Sequence, residues 1–257
     1  MRLDEFLHKN QYYDSRTKAV QAIKRGEIYL NDVLVTKPSF FLDQEKEIKI
    51  NKLCENEFVS LGGYKIYKAL KDFKIDVNGL TCADIGASTG GFTDCLLKFG
   101  ANKVYAVDLN DELLHNSLKV NKKVIPIIKN AKDLTLEDFD NKIDLLCADL
   151  SFISATAVLK IFYDLIEYDK RVLLLIKPQF ENDKRIRLKN GIIREENMRK
   201  DACKKIYDYA VSCGFNVCNL TVAPIKKDKN LEYLILLIKN DVKSVDFDIL
   251  FNNCYKL

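Results

Sequence analysis

Histidine is scarce in this sequence. Only His8 and His115 occur in 257 residues, and no Cys-x-x-Cys pair or Cys/His cluster accompanies them. A zinc site, or any other bound metal, is therefore not expected. Long apolar runs are missing too. The longest, Val172–Ile176 and Tyr233–Ile238, fall far short of the ~20 residues that span a bilayer. The stretch Met1-Arg2-Leu3-Asp4-Glu5 lacks the apolar region of a secretory signal. A cytoplasmic location without membrane partners is the expectation. Neither sign of charge dominates: 41 Lys and Arg against 37 Asp and Glu leave a net charge of +4, so the chain is not polybasic. No internal repeat or low-complexity segment is present.

Cysteine is present without a framework. The eight thiols (54, 82, 95, 147, 203, 213, 218 and 254) show no pairing rhythm. Cys82 and Cys147 lie in apolar strand-like runs, where cysteine acts as a small hydrophobe. Reduced thiols in a reducing compartment are expected. An apolar content of 47% supports a full core, and the length suits one large α/β domain with a small companion.

Two short amphipathic helices open the chain, marked by Leu3, Phe6 and Leu7 and then by Ala19, Val20 and Ile23. Asp14-Ser15 stands where the second helix would be capped, and Gly26 ends it. A hairpin follows, turning at Asn31-Asp32, with a further strand at Glu47–Ile50. This unit closes near residue 51, and 52–58 reads as a linker to a domain over 59–257. A helix is predicted from Gly62 to Phe73. Strands then fall near 81–86, 103–108, 123–128, 143–149 and 171–177, with helices between them. Such alternation means a doubly wound, Rossmann-like parallel sheet. A helix over about 195–213 and strands near 215–224 and 231–238 complete the chain as a C-terminal antiparallel hairpin. That is the layout of S-adenosylmethionine-dependent methyltransferases.

The most informative stretch is Asp84-Ile85-Gly86-Ala87-Ser88-Thr89-Gly90-Gly91-Phe92. It reads as strand, tight glycine turn and helix start, a place where a ligand can approach the backbone and meet free N–H groups. Asp108 ends the next strand about twenty residues on, where a ribose diol would be held. The pattern Gly-x-x-x-Gly-Gly is not the dinucleotide Gly-x-Gly-x-x-Gly and favours S-adenosylmethionine. With Leu109 and Asn130, beyond the second and third strands, and Asp149 at the end of the fourth, these residues form the candidate cofactor set.

Ligands of such sheets sit beyond the carboxyl ends of the strands. Asp149 and Lys177 end the fourth and fifth strands, Glu232 begins the last, and Lys65 lies on the helix leading into the sheet. Buried charges of this kind must pair. One reading is a plain ion pair of Asp149 with Lys177 closing the sheet. The other is catalytic. A desolvated lysine near a second cation can take a proton from a sugar hydroxyl or stabilise its alkoxide. Lys65 would be that cation, with Asp149 and Glu232 holding both lysines.

Val59-Ser60-x-Gly62-Gly63-x-Lys65, Asp84–Asp94, Asp149-Leu150-Ser151-Phe152-Ile153-Ser154 and Lys177-Pro178-Gln179-Phe180-Glu181 together resemble the TlyA family. This is the group of ribosomal RNA cytidine 2′-O-methyltransferases also called haemolysin A. The resemblance covers nearly the whole chain. It implies that Lys65, Asp149, Lys177 and Glu232 match the Lys-Asp-Lys-Glu tetrad of FtsJ-like 2′-O-methyltransferases. It also implies an RNA-binding front domain, through Ser15-Arg16-x-Lys18-Ala19 and Gly26-x-Ile28-x-Leu30-Asn31. The chain departs from the pattern at Leu61, where the family has arginine, and at Lys132, where Asn-x-Arg becomes Asn130-Ala131-Lys132. It departs again at Lys226–Asn230, where glycines are lost before Glu232. Lysine cannot reproduce arginine's planar fork. The chain resembles the family's shorter form, which implies large-subunit ribosomal RNA as substrate.

The implied RNA contacts are Arg2, Arg16, Lys18, Lys24 and Arg25 in the front domain and Lys68 on the following helix. The basic stretch 182–194 adds Lys184, Arg185, Arg187 and Lys189. Phe92, Phe152, Phe180 and Tyr233 are candidates to stack on a flipped base, Phe180 above the others. Two other functions stay open on the sequence: an RNA-binding assembly factor that keeps the fold without turnover, and a lytic protein, which no sequence feature supports.

Overall fold

The computed structural model describes all residues except 26–27, 31–32, 36, 43–49, 53–57, 183–190, 225–228 and 256–257. The expected strand near Glu47, the Gly26 helix end, the Asn31-Asp32 turn and most of the expected linker fall outside the described residues. The chain divides into two compact units, Met1–Glu57 with Pro224–Lys229, and Phe58–Ala223 with Asn230–Leu257.

In the first unit, α1 (Leu3–Lys9) packs on α2 (Arg16–Arg25) because each has one apolar face. Leu3, Leu7, Ala19, Ala22 and Ile23 form the core with Ile28. Ser15 caps α2, its Oγ accepting the Lys18 N–H at 3.2 Å. Strand β1 (Ile28–Leu30) lies between β2 (Val33–Leu34) and β3 (Ile50–Lys52), antiparallel to both. The Asp4 carboxylate is 1% exposed. It accepts Arg2 Nε at 2.9 Å and Arg16 Nε at 3.0 Å, joining the start of α1 to the start of α2.

The second unit begins with α3 (Gly62–Asp72), β4 (Thr81–Ile85), α4 (Gly91–Lys98), β5 (Lys103–Asp108), α5 (Asn116–Lys119) and β6 (Val124–Ile128). It continues with β7 (Leu145–Ala148), α6 (Leu159–Leu165), β8 (Arg171–Ile176), α7 (Pro178–Glu181) and α8 (Glu196–Ser212). Strands β9 (Asn216–Val222) and β10 (Tyr233–Ile238) and helix α9 (Phe247–Asn253) complete it. Sheet order is β6-β5-β4-β7-β8-β10-β9, parallel through β8, with β10 antiparallel to both its neighbours. Side chains alternate between the two faces. Ile85, Leu146, Leu174 and Ile235 pack with α6, α8 and α9. Cys82, Cys147, Leu173 and Leu234 pack with α3 and α4. This three-layer sandwich is the expected fold class. Helix α9 was not read from the sequence.

All described cysteines are free thiols. Burial pushes Cys82 up to about 12, so it is chemically inert packing. No helix among the described residues is long and apolar enough to cross a membrane.

Candidate active site

Sheet register brings the site together. Ile85 pairs with Ala148, so Gly86 and Asp149 leave the sheet side by side. Tyr233 pairs with Ile176 in the antiparallel sense, so Glu232 precedes its strand where Lys177 follows its own. Each charged residue therefore emerges at the carboxyl edge of the parallel strands.

The turn after β4 has no spare room. Gly86 has φ +84°, and a Cβ there would lie 2.6 Å from the Asp149 carbonyl oxygen. Gly90 caps α4 with φ +87°. Between them Ser88, also at positive φ, donates its N–H to Asp108 Oδ2 at 2.7 Å. Asp108 Oδ1 accepts the Leu109 N–H, also at 2.7 Å. Each oxygen keeps acceptor capacity for a further donor. Below the turn, Asp84 Oδ2 accepts the Thr93 N–H at 2.9 Å and its hydroxyl at 2.7 Å. Asp84 Oδ1 is buried with no partner. Burial pushes this carboxyl up to about 7, against the Thr93 hydrogen bonds.

These features fit a nucleoside cofactor with a charged amino-acid tail: close backbone approach at Gly86, an orphaned acceptor beneath it and a carboxylate at the second strand. Ala87 is buried, Thr89 and Ser88 are exposed, and Gly91 opens α4. The Phe92 side chain belongs to the core, 3% exposed. Asn130 uses its side chain to accept the Lys132 N–H at 3.0 Å, while Leu109 is exposed.

The four tetrad candidates form one chain of contacts. Glu232 Oε2 lies 2.7 Å from Lys65 Nζ. Lys65 Nζ lies 3.5 Å from Asp149 Oδ2, and Asp149 Oδ1 lies 2.5 Å from Lys177 Nζ. Burial pulls the Lys65 ammonium down, but Asp149 and Glu232 together outweigh it, so its net shift is upward. Lys65 therefore stays a cation between two acids. Sequence reasoning gave no role to Ser151, whose Oγ accepts from Lys177 Nζ at 2.8 Å. Nor did it give one to Glu181, whose buried carboxylate accepts the Ala155 N–H at 2.7 Å and the Ser154 hydroxyl at 2.5 Å. Both stand inside the motifs around Asp149 and Lys177, which were the available signal.

Of the four aromatic candidates, Phe92 and Tyr233 are core residues. Phe152 is 87% exposed, is held at φ +66°, and lies 5.2 Å from the Phe180 ring. Phe180, favoured on the sequence, is the more covered of the two. The Lys68 ammonium is held by Asp72 on the next turn of α3 and by Thr221 at 3.1 Å. Arg2 and Arg16 are half-exposed while paired to Asp4. Lys18 pairs with Asp14 at 2.9 Å, and Lys24 is exposed. The Arg25 side chain and Lys184, Arg185, Arg187 and Lys189 fall outside the described residues.

A family profile for the FtsJ-like methyltransferase matches residues 58–239, and one for the S4 domain matches residues 1–48. The chain belongs to the FtsJ-like methyltransferase family. Among curated relatives, this methyltransferase is 40% identical to Hemolysin A of Brachyspira hyodysenteriae, over 91% of this chain and 98% of the relative. It is 34% identical to the 23S rRNA (cytidine-2′-O)-methyltransferase TlyA of Campylobacter jejuni, over 93% and 100%. It is 32% identical to the 16S/23S rRNA (cytidine-2′-O)-methyltransferase TlyA of Mycobacterium tuberculosis, over 92% and 89%. The methyl donor of this methyltransferase is S-adenosylmethionine, and its substrate is RNA. Among the described residues, no cluster of three metal-ligating side chains is present.

Proposed function

We propose that this methyltransferase modifies the ribose 2′-hydroxyl of a cytidine in ribosomal RNA, and specifically in the RNA of the large subunit. One observation carries the reading. Glu232, Lys65, Asp149 and Lys177 form an unbroken line of charge at the strand ends, with Asp149 beside the glycine turn. The names of the two TlyA relatives support cytidine and the 2′-oxygen. They divide over the subunit. The match covers all of the 23S-only relative and less of the dual one, which supports the large subunit.

Gly86, Asp84 and Asp108 would hold S-adenosylmethionine, which supplies an electrophilic methyl on its sulfonium. The rest falls to side chains of this chain. A ribose hydroxyl is a weak nucleophile at neutral pH. Lys177 leaves a core strand with its Nζ between Asp149 and Ser151, where the ammonium holds the forming alkoxide or, after passing its own proton to Asp149, takes the hydroxyl proton as the neutral amine. Asp149 fixes Lys177 from one side and Lys65 from the other. Glu232 balances Lys65, so the site does not carry a large net positive charge. Phe152 and Phe180 present a paired aromatic surface on which a base can stack.

The intact tetrad contacts count against an inactive assembly factor. The haemolysin name of one relative finds no membrane-spanning helix among the described residues. The test is Lys177→Ala. Its fold and cofactor affinity, read by circular dichroism and calorimetry, should match wild type. Single-turnover methylation of ribosomal RNA should fall by roughly 10²–10⁴. Lys177→Arg should not restore it, because a guanidinium does not give up its proton near neutral pH. A folded alanine variant with near wild-type transfer would reduce Lys177 to half of a structural ion pair.

A further inference from the structure

We infer that Asn230 is a positioning residue for Glu232, acting through a clamp on the segment Gly191–Arg194. The inference rests on the tetrad reading above. Glu232 precedes β10, and the sequence before it lacks the glycines of the family pattern, so something else must set its place. Asn230 stands two residues before it. Its side-chain amide donates to the Gly191 carbonyl at 2.8 Å and accepts the Ile193 N–H at 2.8 Å. One amide thus satisfies the backbone on both sides of Ile192, as a neighbouring strand would. Gly191 has φ +69°, a left-handed backbone that glycine adopts without strain.

A second, independent tie reaches the other flank. Tyr233, the residue after Glu232, is fully buried. Its hydroxyl accepts Arg199 Nε at 3.3 Å and pairs with the Tyr255 hydroxyl at 2.8 Å. The same guanidinium donates from Nη1 to the carbonyls of Arg194 at 2.6 Å and Ile193 at 3.4 Å. The chain on both sides of Glu232 is therefore fastened to one four-residue segment, directly at Asn230 and through Arg199 at Tyr233. The carboxylate between them is left one geometry, with Oε2 at 2.7 Å from Lys65 Nζ. Releasing Asn230 frees the turn on one side. Glu232 can then swing away, and Lys65 keeps only its longer contact with Asp149.

The test is a double-mutant cycle on the full chain with Asn230→Ala, Glu232→Gln and the pair. Single-turnover methylation is measured at saturating ribosomal RNA and S-adenosylmethionine, with cofactor affinity by calorimetry and thermal unfolding alongside. Asn230 is half-buried in a surface turn, so the variant should unfold near the wild-type temperature. It should bind cofactor normally, because the glycine turn and Asp108 are untouched. Transfer should slow by roughly 10- to 100-fold, the range set by small misplacements of catalytic groups. The double variant should be no slower than Glu232→Gln alone, because both remove the same carboxylate geometry. Asn230→Asp keeps the acceptor for Ile193 and loses the donor to Gly191, so its rate should fall between. Independent, multiplying losses, or an Asn230→Ala variant at full rate, would overturn the clamp while leaving the methyltransferase reading in place. A wild type that methylates no ribosomal RNA would overturn both.

Discussion

Asp84 shows how one buried carboxyl links the cofactor turn to the stability of the domain. Its Oδ2 is satisfied by Thr93 and its Oδ1 is not, so ionising it in place is costly. Burial raises it from an ordinary 3.8 to about 7. A carboxyl raised on folding holds its proton in the native state after the unfolded chain has lost it. Stability is then lost as pH rises from about 4 to about 7. The slope contributed is at most about 1.4 kcal/mol per pH unit. Denaturant unfolding across that window should show this fall, and Asp84→Asn should flatten it. A wild-type curve that rises steadily over the same range would contradict the assignment. Asp84 stood out in the sequence as the acid before the glycine turn. Its orphaned oxygen did not, because that depends on what packs above it. The ties of Lys68 were only half legible for a related reason. Its partner Asp72 stands four residues on, a visible pairing, but Thr221 comes from a strand far along the chain.

The seven strands of the large sheet were legible because each is a short apolar run bounded by turns and separated by helix-length segments. Helix α9 escaped although Phe247, Leu250 and Phe251 recur at helical spacing and Asp246 caps it, accepting the Asp248 N–H at 2.9 Å. Seven residues are too few for periodicity to declare itself. Packing against Tyr233 and α8 makes the helix, with about 1.5–3 kcal/mol available from each fully buried large side chain. The α1–α2 pair was legible as two amphipathic helices, but the ion cluster that joins them was not. Asp4 is held below the usual carboxylate range, chiefly by its hydrogen bond from Arg2 and then by Arg16. A depressed carboxyl stabilises above its ordinary value and loses that contribution as pH falls through its folded value. Both arginines are half-exposed, which weakens the effect. Asp4→Ala should therefore destabilise the helix pair by about 1–2 kcal/mol. Hydrogen exchange should show reduced amide protection confined to α1 and α2. Unchanged protection would mean that the apolar core alone holds the pair.

The front unit and the sheet each have their own core, and each matches a separate family profile. We expect a division of labour. Removing residues 1–51 should leave S-adenosylmethionine affinity within a few-fold of the full chain and abolish methylation of ribosomal RNA. Full activity of the truncated chain would show that the sheet finds its RNA alone. The decisive measurement is a map of ribose 2′-O-methylation on ribosomal RNA from cells with and without the gene. Large-subunit RNA should carry a methylated cytidine that disappears on deletion. It should return with the wild-type chain and not with Lys177→Ala. An identical methylation map in both strains, or a methyl restored by Lys177→Ala, would contradict the proposed function.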